Sequence, residues 1–98
     1  MTREQWESLG FRVESYGPGV QAYVIKFTTG HEIVVTNEDS EHGLPEDGDN
    51  CTIGLYRSPA IEDTSCFAVV EMSANFKDSK LESKYVEAVI KALIQAIG

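Results

Sequence analysis

Residues 37–50, NEDSEHGLPEDGDN, carry six acids, one His, two Gly, one Pro and neither Lys nor Arg. Side chains of these types bind hard cations, carry protons or attract basic surfaces, and their spacing decides among these. A calcium loop of the EF-hand kind needs oxygen ligands at alternating positions and Gly at the sixth. Counted from Asn37, Asp39 and Glu41 fall at the third and fifth positions, but His42 is sixth and Gly43 comes one late. Counted from Asp47, the fifth position is Cys51. Neither register meets the template. The nitrogen and sulfur donors for zinc are His31, His42, Cys51 and Cys66, and none stands at the short paired spacing of structural sites. The sequence predicts no metal and no cofactor.

Catalysis fares no better. Acid–base work needs a carboxylate or His whose affinity for protons is moved by burial or a close charge, and these acids lie in a polar stretch. A Cys–His nucleophile pair would need an exposed cysteine beside His31 or His42. The GPG at 17–19 lacks the strand-to-helix setting and following Lys of a phosphate-binding loop. No catalytic residue is assigned. The two cysteines are expected to be reduced and buried. A hairpin turning near residue 61 would set Cys51 opposite Glu71 and Cys66 opposite Tyr56, too far apart for a disulfide.

The charge is unevenly placed. Residues 32–63 hold nine acids against one base, Arg57, which is the whole net charge of −8. This predicts one negative pole, repelling nucleic acid and anionic membrane and attracting basic surfaces. Direct nucleic-acid binding is not expected, because Lys77, Lys80, Lys84 and Lys91 alternate with Asp78, Glu82 and Glu87 rather than forming a patch. No apolar run approaches the length of a membrane span, and MTREQWESLG lacks the basic start and apolar core of a secretion signal, so the cytoplasm is the expected compartment.

The elements that must position these residues follow from periodicity. At 98 residues the chain predicts one domain, 1–98, large enough to fold around its own core. Thr2 and Gln5 fit a capping box and Gly10 a helix stop. FRVESY alternates, GPG turns, and VQAYVIKFT sets Tyr23, Ile25 and Phe27 on one face. A tight turn at Thr29–Gly30 returns into HEIVVT, aligning His31, Ile33 and Val35. Beyond the acidic stretch, CTIGLY puts Cys51, Ile53 and Leu55 on one face, and SCFAVVEMS, apolar on both faces, predicts a central or doubly covered strand. Ser79 and Glu82 make a second capping box. The helix after it carries Leu81, Tyr85, Val89, Leu93 and Ala96 at near-helical spacing, with Val86, Ile90, Ile94 and Ile97 widening the apolar arc. Strands grouped between helices predict an α+β fold. The expected form is a five-stranded antiparallel meander, a short N-terminal helix, and a long C-terminal helix packed on one face. Either the wide arc of that helix packs deeply against a curved sheet, which is the favoured reading, or its Ile90–Ile94 flank meets a second molecule. The chain is therefore expected to be a monomer or a homodimer through that helix.

WESLGF at 6–11, HEIVVTNED at 31–39, CTIGLY at 51–56 and VEAVIKALI at 86–94 together resemble small acidic accessory proteins of bacteriophages, anti-CRISPR inhibitors among them. The resemblance implies a non-catalytic protein that binds and blocks a host protein. Bacterial immunity proteins against secreted toxins share the size and acidity, and form the alternative. Charge and resemblance together predict a basic host protein or ribonucleoprotein complex as partner. The expected contacts are Glu38, Asp39, Glu41, Glu46, Asp47 and Asp49, with Leu44 as an apolar anchor.

Overall fold

The computed structural model describes residues 1–38, 43–46, 48–57, 67–74 and 82–97, and for Tyr16, 67–71, Ala74 and Glu82 the backbone alone. Helix α1 spans Arg3–Ser8, and five strands follow: β1 (Arg12–Gly17), β2 (Val20–Lys26), β3 (His31–Asn37), β4 (Cys51–Arg57) and β5 (Phe67–Ala74). Helix α2, Glu82–Ile97, closes the chain. The strands form one antiparallel sheet in the order β1-β2-β3-β4-β5, the meander expected from the sequence.

Register explains the core. Val13, Tyr23, Val35, Ile53 and Met72 are successive ladder partners, so one apolar row crosses all five strands. Ile25, Ile33 and Leu55 form a second row. Onto this face pack Trp6 of α1, Phe11, and Val86 and Ile90 of α2. Full burial of a side chain of this size contributes roughly 1.5–3 kcal/mol. Trp6 meets Phe11 edge-on, with ring centres 5.4 Å apart, and stacks on Tyr23 at 5.9 Å. That aromatic group pins α1 to the sheet. Thr2 starts the helix as expected, its hydroxyl accepting from Gln5 N–H while the Gln5 side chain accepts from Thr2 N–H.

Three expectations are corrected. First, Phe27 lies outside β2: Gly30 N–H donates to Phe27 O and Phe27 N–H to His31 O, which makes a three-residue loop rather than a two-residue turn. Second, β5 lies at the edge among the described strands, so of the two expected forms, central or doubly covered, the central one falls. Cys51 pairs with Ala74 instead of Glu71: the Arg57–Phe67 pair centres the hairpin one residue later than expected, which moves the register by two, and the shift between Leu55 and Tyr56 adds the third. Cys51 is buried, and Cys66 lies outside the described residues.

Third, the wide arc of α2 packs deeply as favoured, but part of its first stripe, Tyr85 and Ala96, faces out. Val86 and Ile90 are fully buried, with Leu93, Ile94 and Ile97 packed beside them, whereas Tyr85 is 60% exposed and Ala96 faces solvent. The burying stripe is the one first read as a widening flank, and it repeats at the four- and seven-residue steps that keep one helix face inward. Ile90 is therefore enclosed by its own chain and is not free for a second molecule. The Ser79 half of the expected capping box, and Leu81, lie outside the described residues.

Of the acids in the window, Glu32 pairs with Tyr56 near one end of β4, whereas Glu38, Glu46 and Asp49 lie beyond the Asn37–Cys51 pair at its other end. Asp39, Glu41, Asp47, Glu62 and Asp63, and with them the expectation of one negative pole, lie outside the described residues.

The reverse face of the sheet is partly closed by its own residues. Ala22 and Val24 are buried there, so β2 buries side chains on both faces instead of alternating. The Tyr56 ring lies over Gly54 in the space a Cβ would fill, a close approach that only Gly permits.

Candidate functional site

The acidic connection has a hydrogen-bonded base. Asn37 N–H donates to Gly43 O at 3.1 Å, and Glu38 N–H to Asn50 O at 3.0 Å, prolonging the β3–β4 pairing beyond the strands. Asp49 then ties the two arms together. Its Oδ2 accepts from the Asn37 side-chain amide at 3.1 Å and from Glu46 N–H at 3.0 Å. Asp49 N–H returns a bond to Glu46 O at 3.0 Å, and Gly48, with φ +85°, takes the left-handed position of the turn thus closed.

Apolar contacts complete the base. Pro45 is buried, and Leu44, half-buried, packs against the core cluster. Leu44 and Pro45 thus hold Glu46 next to the core, and a carboxylate on an ordered support loses less entropy on binding.

The residues expected to contact a partner thus divide. Glu38 and Glu46 are exposed and lie on this base. Asp49 is half-buried and acts within the loop as an acceptor, so its carboxylate organises the segment more than it projects from it. Leu44 is anchored to its own core instead of standing out in solvent. Asp39, Glu41 and Asp47 lie outside the described residues.

Beside Glu46 opens a cavity of about 360 Å³, lined by Thr2, Arg3, Tyr23, Leu44, Pro45 and Glu46. It forms because α1 begins where the loop folds down, so residues some forty positions apart face each other across it. Arg3 carries the positive charge of the lining, and Glu7 holds its Nε at 3.0 Å one helical turn away. Burial pushes the Tyr23 hydroxyl above its ordinary value of 10.0; the Arg3 guanidinium pulls it down and Glu7 adds to the rise. The phenol stays protonated at neutral pH.

Thr2, Arg3 and Tyr23 were not among the residues predicted for a site. Thr2 was legible as a helix cap and Tyr23 as core, but their meeting with Leu44 and Pro45 is tertiary and leaves no local signal. Among the described residues no group of three or more His, Cys, Asp or Glu side chains is placed to hold a metal ion. None of the described helices is long and apolar enough to cross a membrane. No protein-family model matches this chain, and neither a curated protein nor a solved structure matches it.

Proposed function

We propose that the chain is a non-enzymatic binding protein that lays its acidic 38–49 segment on the basic surface of a partner and blocks it. The observation that carries this reading is the pairing of charge with support. Six acids and neither Lys nor Arg occupy 38–49, and the described residues of that segment are tied down through Asn37, Asp49 and Leu44. Carboxylates so placed act at a distance as steering charges and, on contact, accept bidentate bonds from Arg much as phosphates do. A surface rich in Arg and Lys is what a nucleic-acid-handling protein presents. The partner class is therefore a basic host protein or ribonucleoprotein complex, and the activity is inhibition by occupancy. The resemblance to phage-encoded inhibitors of host defence favours the same reading.

The test is capture of host lysate on the immobilised protein at low and raised salt, followed by mass spectrometry, alongside a Glu38→Gln/Glu46→Gln variant. The wild type is expected to retain a basic protein that raised salt releases, and the variant to lose it. Retention of the same protein by the variant, unaffected by salt, would refute the electrostatic mechanism. A single cationic toxin as the only retained partner would assign the chain to the immunity proteins instead.

A further inference from the structure

The cavity beside Glu46 has a chemistry that selects among basic groups. At about 360 Å³ it lies near the small end of ligand-binding clefts, which run from roughly 300 to 1,000 Å³. It suits one extended side chain better than a helix or strand. Leu44 and Pro45 supply an apolar wall, and the exposed Glu46 carboxylate stands at its edge. The lining's own cation, Arg3, is engaged by Glu7, so it leaves the Glu46 carboxylate to an incoming group.

An occupant that meets both features has an aliphatic stem and a cationic head. Arg does so best, because its methylenes lie on apolar surface while its planar fork matches a carboxylate in two bonds. Lys offers a more strongly hydrated point charge on a similar stem. We propose that this groove receives an arginine side chain of the basic protein partner, its methylenes on Leu44 and Pro45 and its guanidinium on the Glu46 carboxylate. The inference rests on the function proposed above and narrows it from an attraction spread over the loop to one built position.

The experiment titrates the isotope-labelled protein with acetyl-Gly-Arg-Gly-amide and with the same peptide carrying citrulline, the neutral isostere of Arg. The backbone amide resonances of the protein are followed. Saturable shifts are expected at Thr2, Arg3, Tyr23, Leu44 and Glu46 with the Arg peptide and none with citrulline. Glu46→Gln is expected to weaken binding several-fold. Glu4→Gln removes the same charge from an exposed site on α1 outside the groove, and its affinity should stay near the wild-type value. Melting curves of both variants, expected to match the wild type, exclude loss of fold as the cause.

Equal weakening by the two variants, equal binding of citrulline, or shifts spread over Glu38 and Asp49 that leave Thr2 and Tyr23 untouched would each overturn the groove. In those cases the acidic-surface reading survives. If a longer poly-arginine peptide at low salt also leaves every resonance unmoved, both readings fall.

Discussion

At the residue scale, Asp49 and Tyr23 carry the most distinct consequences. Asp49 accepts two hydrogen bonds that close the base of the acidic segment, so Asp49→Ala leaves the Asn37 amide and Glu46 N–H without that acceptor. The expected cost is about 1 kcal/mol or slightly more, and each kcal/mol lowers Tm by roughly 4–8 °C in a domain of this size. Differential scanning calorimetry checks it. Asp49→Asn, which keeps one acceptor oxygen, should fall between wild type and Ala. Glu46→Gln removes charge without touching the backbone bonds and should leave Tm nearly unchanged. Tyr23 sets a pH dependence. Its proton is held more tightly folded than unfolded, because burial raises it above 10.0. The stability this confers is complete below the unfolded value and is lost as pH rises through the folded one. Urea denaturation followed by the fluorescence of Trp6, the only Trp, should show stability declining above about pH 10, and Tyr23→Phe should reduce that decline.

At the element scale, α2 tests which stripe faces the sheet. Ile90→Ala should cost roughly 2–5 kcal/mol, as expected for a large side chain truncated in a packed core. Tyr85→Ala, at an exposed position, should stay within about 0.5 kcal/mol. Chemical denaturation of the two variants settles the order. This is also where the sequence was least decisive. The stripes through Tyr85 and through Val86 are one residue apart, a rotation of about 100°, and both are apolar, so hydropathy alone does not choose between them. The choice is made by the cross-strand row running from Val13 to Met72, a long-range product of register. The strands themselves were legible because Cys51, Ile53 and Leu55 alternate with Thr52 and Gly54, and because Ile33, Val34 and Val35 make a β-branched run between polar neighbours. The register of β5 was not, because the hairpin is centred at residue 62 and not 61, and because the shift near Leu55 and Tyr56 inserts a further residue that no local pattern marks. The capping box at Thr2 and Gln5 was legible in full, since both partners are local.

At the scale of the whole molecule, the meander decides how charge is distributed. Successive connections of an antiparallel meander emerge at alternate ends, so Glu32, paired with Tyr56, stands near one end of β4 and Glu38, Glu46 and Asp49 lie beyond its other end despite their closeness in sequence. The six-acid run was conspicuous in the sequence. The groove beside it was hidden, because it depends on the start of α1 descending onto Leu44 and Pro45. The same topology bears on the speed of folding. Every strand pairs with its neighbour in the chain, so the sheet can assemble hairpin by hairpin with little long-range search. Closing the β3–β4 hairpin, however, requires drawing together the 13 residues of 38–50, which include all six carboxylates. Loop length adds little to that closure, but like charge resists it, and added salt screens the repulsion. Stopped-flow refolding monitored at Trp6 should therefore accelerate with ionic strength, and the acceleration should shrink in Glu38→Gln/Glu46→Gln. Salt would then hasten the birth of the folded protein while loosening its hold on whatever it captures.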